Sequence, residues 1–406
     1  MSKALEDIKV LDLTQWEAGP ACTEMMAFLG ADVIKVEPPG VGDPARHFST
    51  VPLDPGIDSF YFIYFNLNKK SITLDLNKAK GVEILKEMAK KVDVLVENFE
   101  PGTMERMGLT YDVLKELNPG LIVARITGYG SYGPYANYPC LDANAQAMSG
   151  SFTFTGWPDK PPVKPAPSIG ETGAGVNLFA GIMMALHQKD RTGKGQFVEV
   201  SMVDTAINLC RVPMSFRQSE NDQMFRGKPA MRTGVPSPGQ APSNIYPTKD
   251  NDAYIVFMFG TAQRQWEALL KIIGHPELVG DPRFVDPVAR GKVADVVDKL
   301  ISDWTSTKGG LEAFNALASG GVSTGVTLTS SQAMNDPHVT YRKKVVELTH
   351  SVRGKYKTLS YAPVLEKSPV DVENAPLLGQ DNEKVYADIM GYTKDYLAKL
   401  KEVGVV

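Results

Sequence analysis

The chain has 406 residues, 43% hydrophobic and 22% charged, with a formal net charge of -4. This is the make-up of an ordinary globular protein of about two domains, and it lacks the basic block of a nucleic-acid binder. Three cysteines and five histidines, scattered without ligand-like spacing, leave no disulfide framework and give a metal centre no support.

Residues 1–7 carry acidic side chains where a secretory signal has its apolar run. No stretch reaches the roughly 18 apolar residues of a membrane span. The expectation is a cytoplasmic protein with no metal, no nucleic-acid partner and no membrane association. Residues 8–13 read as a short apolar strand, and Pro20 opens a helix whose Cys22, Met25, Met26, Phe28 and Leu29 recur at helical spacing. Strands are predicted over 32–37, 72–76, 92–96 and 121–126, with an amphipathic helix over 79–91. Short apolar strands separated by helices imply a mostly parallel sheet covered on both faces, a Rossmann-like α/β domain. No GxGxxG follows the first strand; the turn reads Gln15-Trp16-Glu17-Ala18-Gly19-Pro20, which disfavours a dinucleotide site.

Residues 226–247 are rich in Gly, Pro and Ser, as a long functional loop or linker is. One strand over 254–259 and helices over 263–273, 291–304 and 311–318 follow, suggesting a smaller α+β domain. The predicted division is a large Rossmann-like domain over 1–225, a small domain with linker and lid over 226–330, and a return to the large domain over 331–406.

Pro167-Ser168-Ile169-Gly170-Glu171-Thr172-Gly173-Ala174-Gly175 sets one carboxylate among glycines at the start of an apolar helix over 176–187. The small residues leave room for a bulky ligand, and the helix offers free N–H groups and a positive dipole end. Glu171 there is suited to act as a nucleophile on an activated carbonyl. Acidic residues are also common in first helical turns for stability alone.

Several segments together resemble the class III (CaiB/BaiF-type) CoA-transferase family, particularly its formyl-CoA transferase branch. They include Ala18-Gly19-Pro20-Ala21-Cys22-Thr23, Gly30-Ala31-Asp32-Val33-Ile34-Lys35-Val36-Glu37, Asn66-Leu67-Asn68-Lys69-Lys70-Ser71 and Val96-Glu97-Asn98-Phe99. Further matches are Arg106-Met107-Gly108, Asp142-Ala143-Asn144-Ala145-Gln146-Ala147, Gly170-Glu171, Thr192-Gly193-Lys194-Gly195-Gln196 and Ala375-Pro376-Leu377-Leu378-Gly379. The resemblance implies two protomers interlocked like chain links, each with a large Rossmann-like and a small domain. It also implies transfer of CoA from an acyl-CoA to a carboxylic acid through an enzyme anhydride and an enzyme thioester. It makes Glu171 the catalytic carboxylate and places Glu17, Ala18, Lys70, Leu74, Asn98, Phe99, Arg106 and Leu141 around coenzyme A and the reacting groups. Asp142 is assigned a structural role, and Thr233 to Pro242 the part of a lid.

The chain departs from the family pattern at informative positions. Glu171 stands where an aspartate is usual, Glu17 where a glutamine lies beside the intermediate, Pro38 where an arginine holds CoA, and Leu141 where a tyrosine sits. The family's racemases need a histidine at position 141, and leucine moves no proton. A homodimer and a heteromer with a homologous subunit both stay open, the second including a non-catalytic partner of the benzylsuccinate CoA-transferase kind. Met148, Phe152, Phe154 and Trp157 are candidates to line an acid pocket, or simply core.

Overall fold

The computed structural model describes residues 2–54, 56–218, 232–236, 239–257 and 262–406. Two compact units divide the chain. One comprises Met1–Phe152, Lys164–Arg226 and Pro337–Val406; the other comprises Thr153–Val163 and Gly227–Asp336.

The first unit alternates strand and helix: β1 (Lys9–Asp12), α1 (Ala18–Phe28), β2 (Asp32–Glu37), β3 (Lys70–Thr73), α2 (Ala79–Ala89), β4 (Val94–Glu97), β5 (Ile122–Thr127), α3 (Asp142–Met148), α4 (Glu171–Thr192) and β6 (Phe197–Ser201). The strands form one six-stranded sheet in the order β3-β2-β1-β4-β5-β6, and every pairing is parallel. The chain therefore winds outward from β1 in one direction and from β4 in the other. The crevice between their carboxyl ends is where sheets of this topology bind ligands.

Both sheet faces are covered, which explains the continuous apolar reading of the strands. Because side chains alternate along a strand, Leu11, Ile34, Ile72, Leu95 and Val123 face one way, onto Ile84, Leu85 and Met88 of α2 and onto Leu400 and Val405 near the C-terminus. Val10, Val33, Val94, Ile122 and Ala124 face the other way, onto Cys22 and Met26 of α1 and Ala174, Leu178 and Ile182 of α4. Glycine brings α4 onto α1: a Cβ at Gly175 would lie 2.6 Å from the Ala18 carbonyl oxygen. This close approach brings the first turns of the two helices together.

The second unit pairs β7 (Ile245–Pro247), β8 (Tyr254–Val256) and β9 (Gly325–Val326) in a small sheet. Its core gathers Trp266, Leu269 and Leu270 with Val297, Ile301, Ala313 and Leu317. These come from the helices Gln263–Ile272, Ala294–Thr305 and Gly310–Ser319. The strand predicted over 254–259 is observed as Tyr254–Val256, and residues 258 and 259 lie outside the described residues. In the predicted lid, Gly234 donates its N–H to the Gly156 carbonyl (3.0 Å). Ser237 and Pro238 of that segment also lie outside the described residues. Among the described residues no helix is long and apolar enough to cross a membrane, and no group of three or more His, Cys, Asp or Glu is placed to hold a metal ion.

Candidate active site

Glu171 is the first residue of α4 and Asp142 the first of α3, so two helix N-termini meet. Each carboxylate serves the other helix. Asp142 Oδ1 accepts from the N–H groups of Gly170 (2.9 Å) and Glu171 (3.4 Å), while Glu171 Oε1 accepts from the N–H of Asp142 (3.2 Å). Free first-turn donors satisfied by carboxylates are the ordinary chemistry of helix starts. The reciprocal arrangement fixes Glu171 without enclosing it, since its side chain remains part-buried.

The two acids are compensated unequally. Asp142 Oδ2 accepts from Gln146 Nε2 (2.7 Å) and pairs with Lys164 Nζ (3.0 Å). Among the described residues Glu171 makes no ion pair. Beside it, Glu17 is 6% exposed; its Oε1 accepts from the Thr172 hydroxyl (2.6 Å) and its Oε2 from the Tyr61 hydroxyl (2.9 Å). Burial, and then the charge of Glu17, push the Glu171 carboxyl up to about 7, with Asp142 adding to the repulsion. The Asp142 N–H and Lys164 act the other way without cancelling it. A carboxylate near neutrality in a partly open site, with specific charge partners, is what functional positions produce.

A buried ionic network gathers around the carboxyl ends of β1 and β2 and Lys69, the residue before β3. Asp12 pairs with Lys69 (3.0 Å), Lys35 with Asp43 (2.8 Å), and Arg46 with Glu37 (2.7 Å) and Asp58 (2.7 Å). Burial alone would raise Asp12, yet Lys69 and Lys35 beside it hold it down at about 2. Asp43 Oδ1 also accepts from the N–H of Trp16 (3.1 Å). The network therefore anchors the loop carrying Glu17, where Trp16 adopts a φ of 65°, a left-handed backbone that is costly for a bulky residue and concentrates at functional sites.

The other sequence-derived residues fall into distinct places. Ala18 is buried at the start of α1. Leu141 precedes Asp142 and is 68% exposed. Asn98 clamps the switch-point loop: its Oδ1 accepts from the Gln15 N–H (2.8 Å) and its Nδ2 donates to the Gln15 carbonyl (2.8 Å). Phe99 lines a cavity of about 260 Å³ with Glu97, Gly102, Glu105 and Arg125. Arg106 is exposed and, with Lys78, Lys86 and Asn77, lines a second cavity of about 690 Å³. Lys70 pairs with Asp32 (2.6 Å). Leu74 is 1% exposed in the core, so any ligand contact it makes passes through its backbone. Glu17, Asp142 and Glu171 thus form one cluster, while Asn98 and Phe99 follow the carboxyl end of β4 and Arg106 closes the short helix Thr103–Arg106.

Tyr61, Thr172, Gln146 and Lys164 were not singled out from the sequence. Thr172 had a local signal as the neighbour of Glu171. Tyr61 lies in an aromatic run that reads only as core.

The model of CoA-transferase family III matches residues 5–382. The formyl-CoA:oxalate CoA-transferase of Streptomyces coelicolor is 38% identical over 415 residues, covering 100% of both chains. The enzyme of the same name from Bradyrhizobium sp. is 38% identical over 419 residues, covering 100% of this chain and 97% of its own. Among solved structures, a CaiB/BaiF family protein from Brucella suis matches with a TM-score of 0.83 at 28% identity, covering 96% of this chain and 100% of that one. Rv3272 from Mycobacterium tuberculosis matches with a TM-score of 0.78 at 29% identity, covering 94% and 98%. The chain belongs to CoA-transferase family III and is an acyl-CoA:carboxylate CoA-transferase.

Proposed function

We propose that Glu171 is the nucleophile that carries the acyl group and then CoA between donor and acceptor. Its carboxylate oxygen bonds to the acyl carbon of the donor, and the C–S bond breaks, releasing CoA thiolate and leaving a mixed anhydride. The thiolate attacks the Glu171 carbonyl carbon, the donor acid departs as a carboxylate, and Glu171 becomes a CoA thioester. The acceptor carboxylate then displaces the thiolate from Glu171. In the last step the thiolate attacks the acceptor carbonyl, releasing the new acyl-CoA and restoring the Glu171 carboxylate. Charge and atoms balance without an external base. Division into covalent steps suits a carboxylate nucleophile in a site that limits water.

The observation that carries this reading is the uncompensated Glu171 carboxylate at the meeting of two helix N-termini. Half-burial and the charge of Glu17 raise its free energy as an anion, and acylation removes that anion. Asp142, neutralised by Lys164 and hydrogen-bonded by Gln146, positions Glu171. The cavity lined by Lys78, Lys86 and Arg106 has the cationic character that CoA phosphates need. Phe99, Asn98, Ala18, Leu141, Lys70 and the Leu74 backbone complete the proposed CoA and acyl surroundings. Thr233 to Pro242 is proposed as the lid.

Incubation with an acyl-CoA alone is expected to leave a hydroxylamine-sensitive adduct on the peptide containing Glu171. Glu171→Gln keeps size and removes the anion; it is expected to abolish the adduct and to lower exchange by on the order of 1000-fold or more. Full exchange by Glu171→Gln, or an adduct mapping only to Glu17 or Asp142, overturns the assignment. Exchange by the isolated chain also decides against a non-catalytic subunit. The interlocked dimer is read by sedimentation, where a folded monomer at nanomolar concentration counts against it.

A further inference from the structure

Glu17 sits in an unusual place for an anion. It is almost fully buried, and among the described residues it pairs with no Lys or Arg. Its two partners are hydroxyls, those of Thr172 and Tyr61. Tyr61 belongs to an aromatic chain that runs from Trp16 through Phe48 to Tyr61 and Phe65, with ring centroids 5.8, 5.0 and 5.4 Å apart. These rings give the charge little to offset it. The cations beneath are already committed, Lys69 to Asp12 and Lys35 to Asp43, and Lys164 pairs with Asp142.

Acylation changes the balance around Glu171. The nucleophile's charge disappears in both the anhydride and the thioester, and Glu17 remains as the uncompensated anion beside the reacting carbonyl. An acceptor with one carboxylate loses its own charge as it reacts. A dicarboxylate keeps its second charge and brings it against Glu17 in a poorly screened site. A carboxylate has about four lone-pair positions, and Glu17 uses two of them. The remaining positions suit a hydroxyl or ammonium donor on the acceptor.

We propose that Glu17 selects the acceptor, favouring monocarboxylic acids that carry a hydroxyl or ammonium group near the reacting carboxyl and rejecting dicarboxylates. This rests on Glu171 being the acyl-bearing residue. It also sets the chain apart from relatives named for oxalate, a dicarboxylate.

The test uses acids matched in length: glycolate against oxalate, 3-hydroxypropionate against malonate, and 4-hydroxybutyrate against succinate. Each is assayed for kcat/KM in exchange and for binding by calorimetric titration, with wild type and Glu17→Gln. Wild type is expected to favour the hydroxy acid of each pair by about tenfold or more, the scale of one poorly screened like-charge contact. Glu17→Gln is expected to shrink that preference by about tenfold, chiefly by lowering KM for the dicarboxylate. Equal use or equal binding of both members by wild type overturns the proposal, and so does binding of neither. A Glu17→Gln effect that scales both members equally also overturns it, because a merely structural role acts that way. If the variant does not fold, the wild-type preference decides alone. The Glu171 assignment is read separately, from the hydroxylamine-sensitive adduct formed with no acceptor present.

Discussion

Two groups of acidic side chains in the first unit behave in opposite ways, although Glu17 of one stands only five residues from Asp12 of the other. In the network around the carboxyl ends of β1 and β2, Asp12, Asp43, Glu37 and Asp58 each face Lys69, Lys35 or Arg46. At the meeting of α3 and α4, among the described residues, Glu17, Asp142 and Glu171 share the single ion pair of Lys164 with Asp142. Burial is deeper in the network, yet Asp12 is held at about 2 while Glu171 is pushed up to about 7. Compensation, rather than burial, separates a structural acid from a reactive one.

The largest effect is expected where compensation is complete. Lys69→Met leaves Asp12 without the ammonium that bonds it, and also removes donors to Asn66 and the Pro20 carbonyl. A buried charge losing its partner costs about 3–5 kcal/mol, measurable by urea unfolding at neutral pH. A loss near zero breaks the comparison, because the network would then contribute no more than a surface pair.

At the reactive cluster, chain length matters next. Glu171 Oε1 reaches the Asp142 N–H at 3.2 Å, and the arm of aspartate is one methylene shorter. Glu171→Asp is expected to lower exchange by about 100-fold, the usual cost of roughly an ångström of misplacement. Exchange faster than wild type would mean that glutamate is the poorer nucleophile in this pocket.

The same residue yields a stability test of opposite sign to that of Lys69. The folded-state pKa of Glu171 lies at about 7, above the ordinary 4.5, so the folded protein holds that proton more tightly than the unfolded chain does. Ionised Glu171 therefore subtracts stability. The cost is absent below pH 4.5, grows as pH rises toward 7, and is complete above it. Glu171→Gln is expected to stabilise the protein by roughly 1–2 kcal/mol at pH 8, after discounting for partial exposure, and by little at pH 5. Equal stabilisation at both pH values would show that the charge is not its source.

The smallest effect sharpens the picture of Glu17. Exchange needs the Glu171 anion, so its rate is expected to rise with pH through about 7. Removing the neighbouring charge with Glu17→Gln is expected to move that midpoint down by about one unit. An unmoved midpoint in the pH profile of kcat/KM would show that the Glu17 charge does not contribute, leaving burial and Asp142 as the causes of the shift.

Much of the first unit was legible because its signals are local. β2 occurs where predicted, over Asp32–Glu37, and α2 occupies 79–89 of the predicted 79–91. β6 (Phe197–Ser201) and the hairpin formed by Val345–His350 and Gly354–Leu359 are not among the predicted strands. The hairpin strands are six residues long with few buried side chains, which gives little apolar run to read. Leu74 matched a ligand-contact segment, yet its side chain packs in the core; a linear match carries no information about which way a side chain points.

The sequence by itself determined the parallel, doubly covered character of the sheet, an apolar helix over 176–187 that the structure extends to Glu171–Thr192, and the family to which these motifs belong, because periodicity and glycine positions act over a few residues. Only the tertiary structure decided that Glu17 is bonded to Thr172 across 155 residues, that Tyr61 holds its other oxygen, and that, among the described residues, Lys164 forms its ion pair with Asp142 and none reaches Glu171. Electrostatic energy depends on distance through space and on what surrounds the charges. The chemistry of these three carboxylates is therefore fixed by which cations the fold brings within reach.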